Sequence, residues 1–254
     1  MIISIMNTIG SLRRATSTAA SIITQNLQLW LGFTSSSWVG GELVVLDKST
    51  NTNNAKLFTG KALSFDGVND KVDFTSVSLS SEFTIAVWFK VGGGVMNWIG
   101  NDADGIANSY FNGGNSLAFK INYSTSTFSF PSFTNIYSRL VVTRDSSNNV
   151  RVYVNGIEST SGSFVKSGVF KFDTIGRERT SYGDITLSDF QIYNTAWNSD
   201  DVAYDYANPN NLVIDNPDAT ITKSNLIGYW ALSEGSGSIA YDSSGEGNNG
   251  AITG

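Results

Sequence analysis

The residues of this sequence that could do chemistry are carboxylates, because the 254-residue chain contains neither His nor Cys. This removes the commonest general base at neutral pH, the thiolate metal ligands and any Ser-His-Asp triad. In the segment NDADGIAN, Asp102 and Asp104 alternate and are the candidate Ca²⁺ ligands. Calcium needs six to eight oxygens, so a solvated loop is the alternative for this segment. Asp66 and Asp70 in DGVND are expected to form a tight turn, and no other cofactor is expected.

Aromatic side chains in loops form the second group, because an exposed ring can stack against a sugar. The candidate glycan-binding residues are Trp98, Tyr110, Phe111, Tyr123 and Tyr182. Aromatic residues of β proteins also fill cores and cross-strand pairs, which is the alternative for each candidate. Trp88 is expected to be buried.

The charge of the chain excludes one class of partner. The net charge is −6 with 16 Lys and Arg residues, and phosphate neutralisation dominates the affinity of nucleic-acid binders, so no nucleic acid is expected. No segment approaches the ~20 apolar residues of a membrane helix, so no membrane insertion is expected. The apolar residues 1–6 precede Arg13 and Arg14, which is the reverse of a signal peptide.

Most of the chain alternates apolar and polar residues at period two, which indicates strands with one buried face. In residues 138–159, two such strands flank the turn DSSNN, and Asn155-Gly156 is a strong hairpin signal because a type I′ turn needs positive φ at both positions. Further strands are expected in FTIAVWFK from residue 83 and DITLSDFQIYN from residue 184. ALSFD and KVDFT are expected to pair as a hairpin, and residues 100–115 to form a loop.

The predicted organisation is an N-terminal arm at residues 1–26, a jelly roll at 27–206, and a linker with a repeated motif at 207–254. The arm is either a frayed terminus or an anchor that contacts a partner through Ile2, Ile3 and Ile5. One short helix is expected to begin with Ser199 as its cap, because a hydroxyl and the following carboxylates satisfy the free amides of the first turn.

Two stretches of the sequence resemble each other in order and spacing. LQLWLGF and LDKSTNTNNAKL, from residues 27 and 46, parallel LIGYWAL and YDSSGEGNNGAI, from residues 226 and 241, although the first copy is a few residues longer. Chance similarity in Ser- and Asn-rich sequence is one explanation. Otherwise both copies pad one sheet, or the tail copy, with Tyr229 and Trp230, is donated to a neighbouring subunit.

Five motifs occur in an order that suggests a family. These are ALSFDGVNDKVDF, FTIAVWFKV, RLVVTRDSSNNVRVYVNGI, ITLSDFQIYNTAWNSDDVAYDY and the tail LIGYWALSEGSGSIAYDSSGEGNNGAITG. In this order the chain resembles laminin-G-like domains of the concanavalin A-like lectin/glucanase superfamily, over about residues 27–206 plus the tail. The resemblance implies an all-β, two-sheet antiparallel jelly-roll sandwich. The better match to the family's opening segment lies in the tail, which makes permutation or strand exchange possible.

The resemblance also bears on activity. The glucanase branch carries catalytic carboxylates in an E-x-D-x-x-E pattern, which none of the six Glu residues of this chain matches. We therefore expect a non-enzymatic virion structural or surface protein, a capsid decoration or a tail or fibre component, that is made in the host cytoplasm. Its expected partners are other virion proteins, copies of itself in a homo-oligomer, and cell-surface glycans. The alternatives are a stand-alone carbohydrate-binding module and, remotely, a glycoside hydrolase.

Overall fold

The computed structural model describes residues 62–101 and 107–254, together with the backbone of four short strands between residues 31 and 56. The chain divides into two compact units, Met1–Thr59 and Gly60–Gly254. The strands described in the first unit are β1 Leu31–Gly32, β2 Trp38–Val39, β3 Glu42–Asp47 and β4 Ala55–Lys56. Strand β3 pairs antiparallel with each of the other three. The predicted arm, with Ile2, Ile3 and Ile5, lies outside the described residues.

The second unit is built almost entirely from strands. In chain order they are β5 Leu63–Asp66, β6 Lys71–Leu79, β7 Phe83–Val91, β8 Val95–Gly100, β9 Asn108–Asn112, β10 Ser116–Ile121, β11 Ser124–Ser129, β12 Ser138–Arg144, β13 Asn149–Val154, β14 Ile157–Glu158, β15 Phe164–Val165, β16 Phe170–Ile175, β17 Arg177–Glu178, β18 Ser181–Tyr182, β19 Asp184–Tyr193, β20 Leu226–Trp230, β21 Ile239–Ala240 and β22 Gly250–Thr253. The helix α1 spans Ser199–Ala207, and two single 3-10 turns span Val213–Asp215 and Lys223–Asn225. No helix in this part of the chain is long and apolar enough to cross a membrane.

The strands form two large antiparallel sheets. The front sheet has the order β11-β10-β9-β8-β16-β6-β22-β21. The back sheet has the order β14-β13-β12-β7-β19-β20, with β15 on β13 and β5 on β19. Apolar residues from the inner faces of both sheets form one core. This double-layered arrangement confirms the predicted all-β sandwich.

The core between the sheets is rich in phenylalanine, whose rings make close contacts. The ring centroids of Phe89 and Phe111 are 4.3 Å apart, and those of Phe119 and Phe170 are 4.5 Å apart, both pairs stacked. Stacked rings contribute roughly 0.5–1.5 kcal/mol beyond the burial of their area. The first pair joins the back sheet to the front sheet, and the second pair lies within the front sheet. These contacts between large side chains fix the packing of the sandwich.

Strand β7 is buried on both of its faces. The residues of one parity, from Phe83 to Phe89, face the core, as the sequence predicts. On the other face, Ala86 packs under a second apolar layer in which Val202 of helix α1, Val213 and Ile221 cover the back sheet. The outer face of the back sheet is therefore closed at this position by the segment that follows β19.

Helix α1 begins one residue earlier than the sequence predicts. Its N-cap is Asn198, whose side-chain oxygen accepts hydrogen bonds from the backbone N–H groups of Asp200 and Asp201. The Asp201 carboxylate in turn accepts from the N–H of Asn198, which completes a capping box. The prediction of Ser199 as the cap was wrong, because the carboxamide of Asn198 already satisfies these amides and Ser199 is the first helical residue.

The predicted central hairpins are present. Strands β12 and β13 pair with Leu140 opposite Val154. Asn155 and Gly156 have φ of 54° and 78°, the signs that a type I′ turn requires. The Asp145 carboxylate accepts the backbone N–H groups of Ser147 and Asn149 in the DSSNN turn. The local turn signals therefore operate as predicted.

Two local predictions were wrong. Strands β5 and β6 do not pair as a hairpin, since β5 pairs with β19 of the back sheet and β6 with β16 and β22 of the front sheet. The DGVND turn instead crosses between the sheets, and Asp66 accepts the N–H of Val68 while Asp70 accepts that of Asp66. Strand β9 lies inside the predicted loop 100–115, because Ser109 and Phe111 alternate toward the core in a segment too short to show its period.

Residues 226–254, here called the closing motif, belong to both sheets. Strand β20 pairs with β19 in the back sheet, and β22 pairs with β6 in the front sheet. A bridge between Trp230 and Asp242 links the two halves of the motif. Within this chain the Trp230 side chain is fully buried and its ring N–H donates to the Asn248 carbonyl, and its contact with a neighbouring subunit through a donated motif stays a prediction. Tyr229 is half-buried beside it.

A loop carboxylate organises the turn of the closing motif. One oxygen of Asp242 accepts hydrogen bonds from the backbone N–H groups of Tyr229 and Ser244. The other oxygen accepts from the backbone N–H of Asn248 and from the hydroxyl of Ser244. Burial by itself raises the pKa of Asp242, but these hydrogen bonds outweigh it and hold the pKa below its ordinary value. The repeated motif thus carries a structural carboxylate.

A buried arginine joins three distant parts of the second unit. Arg139 of β12, 1% exposed, donates from Nε and Nη2 to both oxygens of Asp205 in helix α1, at 2.7 and 2.8 Å. Its Nη1 donates to Asp189 of β19 at 2.8 Å. Burial by itself lowers the pKa of Arg139, but the charges of Asp205 and Asp189 outweigh it and raise the pKa above its usual range.

We expect Arg139→Met to lower the free energy of unfolding by about 3–5 kcal/mol, because it leaves two buried carboxylates without their cation. The matched control is Arg151→Met on the neighbouring strand. Arg151 is 38% exposed and contacts Asp145 at 3.2 Å, so its loss should cost at most about 1 kcal/mol. Urea unfolding followed by tryptophan fluorescence measures both. Equal effects of the two substitutions would contradict the clamp.

We expect the stability that Asp242 contributes to depend on pH. Its pKa is depressed in the folded state, so this contribution is complete above the unfolded value of ~3.9 and is lost as pH falls through the folded pKa. Asp242→Asn should therefore cost about 1–3 kcal/mol at pH 7 and progressively less below pH 4. Unfolding curves at several pH values measure this, with Asp218→Asn, at an exposed position, as control. A cost of Asp242→Asn that does not change with pH is the contrary result.

Candidate functional site

Two of the aromatic residues proposed for glycan binding lie in the core. Trp98 and Phe111 are both fully buried. The ring of Trp98 lies 6.2 Å from Phe190 and that of Phe111 lies 4.3 Å from Phe89, between centroids. A register shift in β8 between Asn97 and Ile99 allows both Trp98 and Ile99 to contribute to the core. The prediction of these two as ligand-facing residues was wrong for this reason. Trp88 is buried, as predicted.

The other three aromatic candidates have exposed surface but do not form one group. Tyr123 is 65% exposed in the turn between β10 and β11, where it and Asn122 have positive φ. Tyr110 on β9 and Tyr182 on β18 are half-buried. The short hairpin of β17 and β18 brings Tyr182 near Tyr110.

The β17–β18 hairpin is hydrogen-bonded to the front sheet through Asn97. The Asn97 side chain donates to the Ser181 hydroxyl at 2.8 Å. In the sheet, Asn97 lies directly opposite Tyr110. Strand β18, with Tyr182 next to Ser181, therefore lies beside the part of β8 that pairs with Tyr110. We call this group, made of Asn97, Tyr110, Arg177, Ser181 and Tyr182, the tyrosine–arginine surface.

Two glycines allow the hairpin to lie this close to β8. A Cβ atom on Gly183 would stand 2.1 Å from the carbonyl oxygen of Asn97, and one on Gly100 would stand 2.6 Å from that of Arg177. Real Cβ atoms essentially never approach so near, so any side chain at either position would push the hairpin away. The loop RERTSYG thus forms a fixed platform, because backbone contacts position it.

Charged groups fix the arginine of the tyrosine–arginine surface. Arg177 and Tyr182 are opposite each other in the hairpin, and the guanidinium carbon lies 5.7 Å from the ring centre. Nη2 of Arg177 lies 3.6 Å from a carboxylate oxygen of Asp73, which also pairs with Lys71. Asp73 alternates with the core residues Val72 and Phe74, so it lies on the outer face of the front sheet. The surface therefore combines two half-exposed rings with a held cation.

Reading the sequence did not identify Asn97, Arg177 or Ser181. Their signal is weak, because each acquires its role only when the hairpin contacts β8, where Asn97 lies 84 residues before Ser181. The positive φ of Arg179, which forms the tight turn between β17 and β18, has no marker in the sequence such as Gly or Asn. These residues could be found only from the fold.

The candidate Ca²⁺ ligands Asp102 and Asp104 lie outside the described residues, so that prediction stays a prediction. Within residues 62–101 and 107–254, no three carboxylates come together in a way that could hold a metal ion. Asp66 and Asp70 use their oxygens on backbone amides of the DGVND turn, as expected.

Comparison with known proteins adds a family to this geometry. Residues 66–203 match the family model of the concanavalin A-like lectin/glucanases superfamily, Laminin_G_3. No curated protein matches the sequence.

Two solved structures resemble parts of this chain. A "putative carbohydrate binding protein" from Bacteroides ovatus superposes with a TM-score of 0.55 at 17% identity, covering 85% of this chain and 68% of its own. A heptameric SAP-like pentraxin from Limulus polyphemus gives a TM-score of 0.47 at 15% identity, covering 56% and 80% respectively. At these identities the first similarity shows the fold alone.

We expect Gly183→Ala to displace the β17–β18 hairpin, because the new methyl group would meet the Asn97 carbonyl. Amide hydrogen exchange across residues 176–184 should then accelerate by at least about tenfold, as expected for the loss of ~1.4 kcal/mol of local stability. Gly92→Ala is the matched control, because a Cβ there has its nearest neighbour at 3.9 Å. Unchanged exchange in Gly183→Ala would show that the hairpin is not held by this contact.

Proposed function

Because this chain belongs to the concanavalin A-like lectin/glucanases superfamily, we propose that it is a non-enzymatic module that binds carbohydrate at the tyrosine–arginine surface. The observation that carries the proposal is the contact of the β17–β18 hairpin with Asn97, which brings Tyr182 and Arg177 to the part of the sheet that holds Tyr110. The carbohydrate-binding description of the Bacteroides ovatus protein is consistent with it.

The chemistry of the surface suits a neutral oligosaccharide. The apolar face of a sugar ring packs on an aromatic ring, while its hydroxyl groups exchange hydrogen bonds with polar side chains. Tyr110 and Tyr182 supply rings that also carry a hydroxyl. Ser181 is exposed next to Tyr182, and its hydroxyl accepts from Asn97, which lies opposite Tyr110. Arg177 is engaged with Asp73 and Tyr182, so its charge is balanced locally and an anionic sugar gains little from it.

The proposal is a binding role without hydrolysis, and the pattern of carboxylates in the sequence supports it. Glycoside hydrolysis commonly uses two carboxyl groups that flank the scissile bond, one as acid and the other as nucleophile or base. The six Glu residues of the chain do not form the E-x-D-x-x-E pattern that the glucanase branch would supply. Two carboxylates neighbour the tyrosine–arginine surface: Asp73 is paired with Lys71 and Arg177, and Glu178 lies opposite Ser181 in the hairpin.

A second proposal concerns the setting in which the module works. We propose that the chain is a structural component of a virion surface, a capsid decoration or a tail or fibre part, and that the jelly roll is displayed there for attachment to host glycans. The specific observation that favours an assembly is the repeated motif at residues 27–57 and 226–254. A sequence without Cys, made in the host cytoplasm, is compatible with assembly in a reducing compartment.

We expect Tyr182→Ala to weaken oligosaccharide binding by about tenfold, since it removes both the stacking face and the packing partner of Arg177. A glycan array identifies the ligand, and isothermal titration calorimetry with that ligand measures the loss. Tyr123→Ala is the matched control, because Tyr123 is an exposed tyrosine on a different turn. Binding that falls with Tyr123→Ala and not with Tyr182→Ala, or an array without any hit, would overturn the proposed site.

A further inference from the structure

Two of the strand pairings in the first copy of the repeated motif, β1–β3 and β3–β4, recur in its second copy. Residues 27–57, here called the leading motif, pair Leu31 with Asp47. At the matching positions of the closing motif, Trp230 bridges to Asp242. Alignment of the two sequences places Leu31 on Trp230 and Asp47 on Asp242, so this first pairing coincides.

The second pairing coincides residue by residue. In the leading motif, Val45 lies opposite Ala55 and Val44 opposite Lys56. In the closing motif, Ala240 lies opposite Gly250 and Ile239 opposite Ala251, at the aligned positions. Chance similarity of Ser- and Asn-rich sequence does not account for three pairings in a common register. The leading motif is therefore a structural repeat of the closing motif.

The closing motif fills one gap of the sandwich, between β19 of the back sheet and β6 of the front sheet. We call this gap the acceptor edge. In the part of the chain that the structure describes, the acceptor edge takes one such motif, and the chain carries two. A leading motif can therefore occupy an acceptor edge only where it replaces a closing motif.

The side chains at the acceptor edge are compatible with either motif, with a preference. A Cβ on Gly228 would meet the Trp230 ring at 2.6 Å. The leading motif has Leu29 at the position of Gly228 and Leu31 at the position of Trp230. One side chain is larger and the other is smaller, so the summed side-chain volume changes little.

The front-sheet half of the acceptor edge favours the closing motif. A Cβ on Gly250 would lie 2.4 Å from a methyl carbon of Val72. The leading motif has Ala55 at this position, so Val72 must shift to admit it. The closing motif is accordingly the better occupant, and the leading motif is a weaker one that needs a high concentration of chains.

We propose that the leading motif of one chain occupies the acceptor edge of a second copy of this chain, in place of that copy's own closing motif. The backbone pairing on β6 supplies the attraction, as in strand addition to a sheet edge. Such an interface is heterologous, because donor and acceptor surfaces differ. The acceptor chain keeps a free leading motif, so the contact can repeat into a ring or a filament. The inference is independent of glycan binding.

Cysteine cross-linking tests the exchange directly, because the chain has no native Cys. Ala251 lies opposite Asp73 on β6, and Lys56 aligns with Ala251. Residues directly opposite in antiparallel strands have Cα atoms about 4.5–5.5 Å apart, within reach of a disulfide. One full-length chain carries Lys56→Cys, and a second full-length chain, with a tag of different mass, carries Asp73→Cys. The two chains are mixed and mildly oxidised. We expect a covalent heterodimer whose yield rises with concentration.

Two controls frame this result. Asp73→Cys with Ala251→Cys in one chain should close within the chain, which shows that the variant folds with its closing motif in place. Lys56→Cys mixed with Thr127→Cys, an exposed position on the opposite edge strand β11, gives the background of random collision. Asp242→Asn in the acceptor chain should raise the heterodimer yield several-fold, since it loosens the competing motif.

The proposal is overturned by either of two outcomes. One is a heterodimer yield at the collision background while the Asp73–Ala251 pair closes normally. The other is a disulfide between Lys56→Cys and Asp73→Cys that forms in a doubly substituted chain but not between chains, because the leading motif would then serve its own sandwich alone.

Discussion

The ion cluster of Arg139 is the constraint on which most of the second unit depends. A buried guanidinium needs partners for its charge and its N–H groups, and here the carboxylates of Asp205 and Asp189 supply them from helix α1 and strand β19. Asp189 has a positive φ within the register shift of β19. Within the same shift, Phe190 faces the core and meets Trp230 of the closing motif. The Arg139 cation therefore fixes helix α1, the register shift of β19 and the position at which β20 packs.

The same cluster explains why the candidate ligand surface lies on the front sheet. By holding helix α1, it keeps the apolar layer of Val202, Val213 and Ile221 on the outer face of the back sheet. That face is thereby filled from within the chain. The outer face of the front sheet keeps polar residues such as Asp73 and receives the β17–β18 hairpin, whose close approach depends on Gly100 and Gly183. The outer face of the back sheet is therefore covered, whereas the outer face of the front sheet stays accessible to a ligand.

The sequence predicted those features whose causes are local. The alternation in β7 and the Asn155-Gly156 turn were correct because period and turn chemistry act over a few residues. Trp98 and Phe111 were misassigned because a register shift in β8 and the short strand β9 decide their direction. Tyr110 and Tyr182 were predicted as candidates, but their grouping with Asn97, Arg177 and Ser181 escaped prediction, since the contacts join residues far apart in sequence. Arg139 could be recognised only as an alternating polar residue, not as the centre of a cluster.

The duplicated motif and the proposed sugar-binding surface are separate features with one common physical consequence. A shallow surface with two tyrosines binds a single oligosaccharide weakly, because it buries little area and must still order the ligand. Linking several such surfaces makes each later contact intramolecular and raises the overall avidity without any new side chain. Strand exchange would supply that multiplicity while leaving the front sheet's outer face unchanged at the β17–β18 hairpin. A chain that carries a leading motif in addition to its closing motif is therefore suited to act as one element of a multivalent array.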